Sequence, residues 1–179
     1  SLLVRDPDGA FFAAFDESLG SGFRHAIHPG YKARRALPDE ALSFQLDACR
    51  TLTGLLGIAQ AASPRFEADD LLASAARHAR TQGFACTVLS RDKDLGQLLA
   101  EPTDRLWDFP RGEPVDRATW TALHGIAPEQ LPARLALTGD AIDDIPGVPG
   151  VGLHTAVSLL AEYADVEDIL ANLPAIATS

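Results

Sequence analysis

The sequence predicts an α/β domain with a mostly parallel sheet, followed by a smaller helical region. Short apolar runs alternate with segments of helical periodicity over residues 10–109, and this order is typical of parallel strands joined by helices. Acidic residues follow several of the runs, and the carboxyl ends of parallel strands usually carry the functional site. From residue 116 the pattern changes to short helices, so we expect two domains, 1–115 and 116–179.

The strands are expected at 10–15, 58–62, 84–89 and 105–109, where apolar residues run together. The helices are expected at 38–56, 67–81, 92–99, 116–124, 128–137 and 153–163. The helix that starts at Pro38 has acids in its first turn, and its apolar residues recur at helical spacing: Leu42, Leu46, Cys49, Leu52 and Leu56. Residues 20–37 are rich in glycine, proline and basic residues and predict an irregular, mobile excursion.

Composition limits the classes of protein that fit the chain. The 179 residues are 46% apolar, which is enough for a substantial core in one domain or in one domain with a small appendage. No apolar run is long enough to cross a bilayer and no signal peptide opens the chain, so we expect a cytoplasmic protein without a membrane partner. Cys49 and Cys86 lie in apolar settings and predict buried free thiols.

The net charge of −10 argues by itself against a nucleic-acid partner, because phosphate binding usually leaves a basic surface. The distribution of the charge points the other way. Residues 24–35 contain four arginines and lysines and no acid, which predicts a separate basic patch. Within it, Tyr31 beside Lys32 offers a ring for base stacking next to a phosphate contact, although charges of this kind are usually only solvated.

Three acidic clusters lie at the ends of predicted core elements, at residues 67–70, 92–94 and 140–144. Each by itself fits helix capping or a solvated turn as well as it fits a functional site. Together with Asp16, which follows the first strand, they are expected to meet at one edge of the sheet. Carboxylates so placed repel one another unless a cation lies between them. Oxygen ligands suit Mg²⁺ or Mn²⁺, which are ions of phosphodiester hydrolysis.

Residues 145–152 alternate glycine with proline and valine between two predicted helices. Glycines there let a partner approach the backbone, and the N–H groups of the turn and of the following helix can bind an anion. Loops of proline and glycine are common. The position between an acidic cluster and an amphipathic helix nevertheless favours a helix–hairpin–helix type turn, which grips a phosphate backbone without reading base sequence.

Taken together, these motifs resemble the 5′-nuclease family, which comprises the 5′→3′ exonuclease domain of bacterial DNA polymerase I and the flap endonucleases. The resemblance covers nearly the whole chain. Its pieces are Phe15-Asp16, the segment from Phe23 to Arg35, Glu67-Ala68-Asp69-Asp70, Ser90-Arg91-Asp92-Lys93-Asp94 and the run from Gly139 to Gly152. The resemblance implies a PIN-like α/β domain, a helical arch over the site, and a C-terminal helix–three-turn–helix that binds duplex DNA.

The resemblance also implies roles for individual residues. Two Mg²⁺ or Mn²⁺ ions would be bound, directly or through water, by Asp16, Glu67, Asp69, Asp70, Asp92, Asp94, Asp140 and Asp143. Lys32 and Arg24 would lie in the arch and act as catalytic residues on the scissile phosphate or the threaded strand. DNA contacts would come from Tyr31, Arg34, Arg35, Gly147, Val148, Gly150, Val151, Gly152, His154 and Thr155, with a K⁺ ion at the turn.

Three departures from the family pattern are visible. The family begins with a strand that carries an Asp-Gly motif and a metal-binding aspartate, whereas the residues from Ser1 to Val4 match a later part of the pattern. Asp144 stands where asparagine is usual, and Leu153-His154 replaces a residue followed by lysine at the start of the last helix. The chain also stops near Thr178-Ser179, before the later helices of the family pattern, so we expect either a fragment truncated at both ends or a gene model with a late start.

The leading hypothesis is a structure-specific 5′→3′ exonuclease or 5′-flap endonuclease that hydrolyses DNA with divalent metal ions, as in primer removal and DNA repair. Its expected partner is DNA with a 5′ flap or a 5′ single-stranded arm. We expect a monomer in the bacterial cytoplasm, associated with the nucleoid. Two alternatives stay open: a DNA-binding module that has lost turnover with the first aspartate, and a PIN-type ribonuclease, against which the duplex-binding turn argues.

Overall fold

The computed structural model describes residues 9–18, 20–109 and 111–176. The chain divides into two compact units, Ser1–Arg77 and His78–Ser179, which we name the first and the second unit. Each unit contains a pair of parallel strands, so the predicted α/β class is confirmed. The division into domains 1–115 and 116–179 stays a prediction.

The first unit is built on two parallel strands. β1 (Phe12–Asp16) pairs with β2 (Ala59–Ser63), and their carboxyl ends lie side by side. The connection between them carries α1 (Phe23–Ile27) and α2 (Glu40–Leu55), and α3 (Ala68–Thr81) follows β2. The sequence predicted both strands, α2 and α3 to within a few residues. It missed α1, because this helix is a single short turn inside a glycine-rich segment.

Helix α2 has well-defined ends and an exposed apolar face. Asp39 Oδ1 accepts a hydrogen bond from the backbone N–H of Leu42 at 2.8 Å, which caps the start of the helix, and Gly57 follows its end with a φ of +72°. The residues at helical spacing are all exposed: Leu42, Leu46, Cys49, Leu52 and Leu56. The burial predicted for the Cys49 thiol is therefore wrong, and Cys86 is only partly buried, although both cysteines are free.

The sheet of the second unit has three short strands. β3 (Thr87–Leu89) pairs in parallel with β4 (Arg105–Trp107), and β5 (Val115–Asp116) pairs antiparallel with β4. Strand β3 is shorter than the predicted 84–89, because a buried side chain binds the chain before it. The Asp104 carboxylate, 1% exposed, accepts a hydrogen bond from the backbone N–H of Cys86 at 3.1 Å and pairs with Arg80 at 2.8 Å.

Helices and a short ribbon form the remainder of the second unit. The short helix predicted at 92–99 is a 3₁₀ helix at Lys93–Leu98. The later elements are α4 (Arg117–His124), a 3₁₀ turn at Pro128–Gln130, α5 (Leu131–Thr138), α6 (Leu153–Glu162), α7 (Val166–Ala171) and α8 (Leu173–Ile176). Between α5 and α6, β6 (Gly139–Asp140) and β7 (Ile145–Pro146) form an antiparallel ribbon. The sequence did not predict β5, the ribbon, α7 or α8.

Large buried side chains fill the core of the second unit. Trp120, Leu99 and Leu131 are almost completely buried. The indole of Trp120 packs against Gly96, where any Cβ would overlap the ring. This contact holds the 3₁₀ helix that carries Asp94 against α4.

Membrane insertion through a helix has no support in the described ranges. Across residues 9–18, 20–109 and 111–176, no helix combines the length and the apolar character needed to span a bilayer.

Candidate active site

Two predicted metal-binding carboxylates of the first unit help to start helix α3. Asp16, at the end of β1, accepts a hydrogen bond on Oδ1 from the backbone N–H of Ala68 at 2.7 Å. Asp70 accepts one on Oδ2 from the backbone N–H of Glu67 at 3.0 Å. These contacts satisfy N–H groups that have no partner within the helix. The capping alternative considered for this cluster is thus realised, and it brings Asp16 and Asp70 to the same helix end.

Basic side chains of the 20–37 segment already neutralise two acids of this group. Arg24 donates from Nη1 and Nη2 to the two oxygens of Asp70 at 2.6 and 2.8 Å. Lys32 Nζ donates to Glu67 Oε2 at 2.8 Å, with the lysine and glutamate side chains only 16% and 12% exposed. Arg24 and Lys32, which are predicted to contact phosphate, are therefore paired with Asp70 and Glu67, which are predicted to bind metal.

The ionisation of these side chains follows from the pairing. The hydrogen bonds from Arg24 hold the pKa of Asp70 below its ordinary value against the opposing effect of burial, and the pKa of Arg24 is raised in return. Burial alone would lower the pKa of Lys32. The hydrogen bonds to Glu67 and Tyr31 and the charge of Glu67 outweigh it, so that this pKa is raised. Arg24, Asp70 and Lys32 are therefore charged at neutral pH.

Tyr31 is part of the same contact and does not face solvent. Its side chain is 5% exposed, its hydroxyl donates to Glu67 Oε2 at 3.1 Å, and its ring meets that of His25 edge-on at 5.3 Å. The base-stacking role predicted for Tyr31 therefore requires the ring to leave this packing. Lys32, the next residue, has a φ of +52°, a left-handed conformation that is uncommon for any residue except glycine.

A small cavity of about 80 Å³ opens beside these pairs and is lined by Asp16, Lys32, Arg35 and Glu67, among others. Asp69 and Arg34 are exposed, as their predicted roles require. The structure thus brings Asp16, Glu67, Asp70, Arg24 and Lys32 together in the first unit. The helical arch expected for residues 20–37 stays a prediction.

The acids of the second unit lie in a different electrostatic environment. Asp92 caps the 3₁₀ helix, because its Oδ1 accepts from the backbone N–H of Asp94 at 2.9 Å, and Ser90 Oγ accepts from the N–H of Asp92 at 3.0 Å. Asp94 Oδ1 is buried without a hydrogen-bond partner. Arg134 Nη2 approaches it only to 3.8 Å, which is an ion-pair contact but too long for a hydrogen bond.

Burial raises the pKa of Asp94, and the nearby negative charges of Asp92 and Asp140 raise it further. Asp140 lies at the end of β6, where its Oδ1 accepts from the backbone N–H groups of Ile142 at 2.9 Å and Asp143 at 3.4 Å. Asp92, Asp94 and Asp140 are therefore electrostatic neighbours, and Asp143 follows in the same turn. A buried carboxylate oxygen without a donor, next to two further carboxylates, suits a cation.

The two groups of acids do not form ready metal cages. Among the residues that the structure describes, no three histidine, cysteine or acidic side chains are arranged to hold a metal ion as they stand. In the first unit, Arg24 and Lys32 form ion pairs with Asp70 and Glu67. The prediction that all the clusters share one sheet edge stays a prediction, as do the individual ligand assignments.

The sequence reasoning missed Arg134, which is 7% exposed and faces Asp94. It is the single charged residue of the otherwise apolar helix α5, a signal that could have identified it. His124 was also passed over. Burial lowers its pKa, and the positive charges of Arg134 and Lys93 lower it further.

Glycines shape the 145–152 turn for two different reasons. A Cβ at Gly147 would overlap the backbone of Thr138, so this glycine permits close packing within the chain itself rather than the approach of a partner. Gly150, with a φ of +83°, and Gly152 face open space. Gly152 is the N-cap of α6 and carries no side chain to cap it, which leaves the first N–H groups of that helix available.

The remaining residues predicted to bind DNA lie around this turn. Val148 is exposed, and its N–H donates to the carbonyl of Leu137 at 2.8 Å. The N–H of Val151 donates to the carbonyl of Val148 at 3.0 Å, so both valines help to close the turn. His154 and Thr155 are exposed in the first turn of α6. Their contacts with DNA stay predictions.

Two family models together match almost the whole chain. Residues 2–123 match the 5′-3′ exonuclease N-terminal resolvase-like domain, and residues 126–179 match the 5′-3′ exonuclease C-terminal SAM fold. The chain belongs to the 5′-3′ exonuclease family. The resemblance inferred from the motifs is thereby confirmed.

Relatives of this chain include long polymerases. Thermostable DNA polymerase I of Thermus aquaticus is 39% identical over 170 residues, which are 95% of this chain and 20% of that protein. DNA polymerase I of Mycobacterium tuberculosis is 36% identical over 177 residues, 97% of this chain and 20% of that protein. The chain thus spans about a fifth of the length of these curated relatives.

Solved structures share the fold. A T5 5′-exonuclease with bound divalent metal ions (zinc) has a TM-score of 0.81 at 24% identity, and the match covers 97% of this chain and 67% of that chain. The catalytic core of Rad2 in complex with a DNA substrate has a TM-score of 0.52 at 17% identity, covering 89% and 48%. Together with the family models, these matches confirm the predicted PIN-like domain followed by a helix–hairpin–helix type region.

Proposed function

We propose that the chain is a metal-dependent 5′-nuclease that hydrolyses DNA phosphodiesters at a 5′ end or a 5′ flap. The observation that carries the proposal is the match of both halves of the chain to the two 5′-3′ exonuclease models. The buried, unpartnered oxygen of Asp94 beside Asp92 and Asp140 supports the metal dependence, because a cation would offset the cost of that charge.

The proposed cation is Mg²⁺ or Mn²⁺, which supplies Lewis acidity and lowers the pKa of a bound water. In the second unit Asp92, Asp94 and Asp140 would hold it, with Asp143 next to them in the turn. In the first unit Glu67 and Asp70 would act as ligands, with Asp16 and Asp69. All of these are hard oxygen ligands, the chemistry these ions prefer.

Phosphate binding is assigned to two surfaces. Arg24 and Lys32 would hold the phosphate to be cleaved, since guanidinium and ammonium groups form charge-assisted hydrogen bonds to phosphate oxygens. The turn at Gly147–Gly152 and the uncapped start of α6 would grip the duplex, with a K⁺ ion at the turn. The proposed substrate is DNA with a 5′ flap or a 5′ single-stranded arm, bound by a monomer.

A cleavage assay tests the proposal. A 5′-labelled flap duplex is incubated with the wild-type chain and with Asp94→Asn, in Mn²⁺, in Mg²⁺ and in EDTA. We expect metal-dependent release of the labelled arm by the wild type and none by the variant. Binding of the flap without cleavage in either metal would favour the DNA-binding module instead. Cleavage confined to an RNA arm would favour the ribonuclease.

A further inference from the structure

We propose that Arg24 and Lys32 form a cation latch, in which their ion pairs to Asp70 and Glu67 compete with divalent metal and hold the 20–37 segment down until metal binds. The inference rests on the proposed function, because it takes Glu67 and Asp70 as metal ligands. It adds that the residues proposed to bind phosphate control when the metal can bind.

The first argument is occupancy of the carboxylate oxygens. Both oxygens of Asp70 are engaged, by Arg24 and by the N–H of Glu67. Glu67 Oε2 accepts from Lys32 and from the Tyr31 hydroxyl together. A divalent ion that approached these oxygens would meet two fixed positive charges. It therefore has to displace the pairs, and each pair lowers the affinity of the site for metal.

The second argument is the strained backbone of Lys32. A lysine with a φ of +52° is less stable than one in an ordinary conformation, and it persists where neighbouring contacts hold it. The contacts here include the ion pair of Lys32 to Glu67 and the hydrogen bond of the buried Tyr31 hydroxyl to the same carboxylate. Loss of those bonds would allow the Lys32 backbone to relax and the Tyr31 ring to leave its packing.

The third argument is that both ion pairs join the segment to the start of α3. The rings of Phe23 and Phe66 lie 5.5 Å apart, and the N–H of Phe23 donates to the carbonyl of Arg65 at 3.0 Å. Beyond Tyr31, residues 33–37 are exposed. The two ion pairs attach the basic stretch, through Arg24 and Lys32, to residues 67–70. Because coupling between two equilibria is reciprocal, a ligand that breaks the pairs must also loosen the segment.

Two measurements without DNA test the latch. Free Mn²⁺ is titrated by electron paramagnetic resonance into the wild type, Lys32→Met and Arg50→Met. Arg50 is the matched control, because it also pairs with a carboxylate of the first unit, Glu17, which is not a proposed ligand. We expect Lys32→Met to bind Mn²⁺ about fivefold to tenfold more tightly than wild type, and Arg50→Met to stay within about twofold, since exposed charges are screened.

The second measurement follows proteolysis of the wild-type chain with and without metal, and adds Lys32→Met without metal. Trypsin cleavage after Arg34 and Arg35 is timed with and without Mn²⁺ at constant ionic strength. We expect Mn²⁺ to accelerate cleavage in the wild type, and Lys32→Met to be cut rapidly without metal. Slower or unchanged cleavage in Mn²⁺ would overturn the latch, as would equal Mn²⁺ affinities for Lys32→Met and Arg50→Met.

The outcomes separate the latch from the proposed function. If the wild type cleaves the flap with metal but either measurement goes against the latch, only the latch is wrong. If no variant binds Mn²⁺ at all, both proposals are wrong.

Discussion

At the scale of single residues, similar acidic motifs lie in opposite electrostatic environments. Asp70 and Glu67 face Arg24 and Lys32 and are neutralised, whereas Asp94 keeps a buried oxygen without a donor. A carboxylate paired with a cation stabilises the folded chain, and a buried carboxylate without a donor destabilises it. Mutations at the two positions should therefore change stability in opposite directions.

Asp94→Asn should raise the melting temperature of the metal-free protein at pH 7, by roughly 1 kcal/mol of unfolding free energy, because the charged form is the costly one. The gain should shrink as the pH falls through the raised pKa of Asp94 towards the unfolded value of about 3.9, where the wild-type carboxyl is protonated as well. The variant should also lose the part of any Mn²⁺-induced rise in melting temperature that comes from the proposed site of the second unit. Thermal melts between pH 4 and pH 8 check this, and a lower melting temperature at pH 7 would contradict it.

Asp70→Asn should lower the stability of the folded chain at pH 7. Arg24 holds the pKa of Asp70 below its ordinary value, so the pair contributes fully above the unfolded pKa of about 3.9 and is lost as the pH falls through the lower folded pKa. We expect the variant to lose roughly 1 kcal/mol of unfolding free energy at pH 7. It should match the wild type once the Asp70 carboxyl of the wild type is protonated in both the folded and the unfolded state. Urea unfolding at neutral and strongly acidic pH measures the difference, with Glu17→Gln as an exposed control. A deficit that persists in acid would point to packing instead.

At the scale of elements, the connection between α5 and α6 combines an internal packing contact with an external binding surface. Gly147 lies against the end of α5, and Gly152 stands free at the start of α6. Both are glycines of one short motif, yet only the first is required for the chain to fold as described. Substitutions at the two positions separate folding from binding.

Gly147→Ala should destabilise the second unit by about 1–3 kcal/mol, because the new methyl group overlaps the backbone of Thr138 and the ribbon has to shift. Gly152→Ala meets no atom within 4 Å and should cost only about 0.5–1 kcal/mol as a poorer N-cap. Urea unfolding of the two variants gives the comparison. Equal losses would show that the ribbon does not depend on this contact.

Gly152→Asp and Gly152→Asn form a matched pair for the proposed phosphate site. Both side chains are good N-caps, so both variants should be at least as stable as wild type. Only aspartate places a negative charge where a phosphate would lie, so it should weaken duplex binding by about tenfold relative to asparagine, and equally for all base sequences. Fluorescence anisotropy on two unrelated duplexes measures this. Equal affinities for the two variants would remove α6 from the duplex contact.

At the scale of the whole molecule, a chain with a net charge of −10 would have to bind the proposed DNA substrate through local surfaces. The proposed ones are the basic stretch of residues 24–35 and the turn at 147–152. A substrate that offers both a duplex and a single-stranded arm can engage both, whereas blunt duplex or single-stranded DNA can engage one.

We therefore expect the affinity for a 5′ flap to exceed the affinity for blunt duplex and for single-stranded DNA of matched length, and to fall steeply with salt as counterions are released. Gel shifts in Ca²⁺ at several salt concentrations give affinities and slopes. Arg34→Met should reduce the preference for the flap, and Arg111→Met, an exposed arginine outside both surfaces, should not. Equal affinity for the three DNAs would contradict the two-surface arrangement.

The sequence by itself determined the features that carry local signals. Helix α2 is bounded by Asp39 and Gly57, the paired strands of the first unit are apolar runs, and the acidic motifs with the glycine turn identify the family. Helix capping, turn residues and the pattern of apolar positions depend on residues close in sequence, so they can be recognised from the sequence alone. The predicted length of strand β3 was too long, because the carboxylate of Asp104, distant in sequence, accepts a hydrogen bond from the backbone N–H of Cys86.

Only the tertiary structure decided which charges meet. Lys32 reaches Glu67 across 35 positions and Arg24 reaches Asp70 across 46, and no periodicity links such residues. It also decided that Tyr31 is buried and that the apolar face of α2 is exposed, although the sequence pattern favours the opposite for each. The physical reason is that burial and pairing depend on which segments pack together. The ionisation of Asp94 and the cation latch are consequences of that packing.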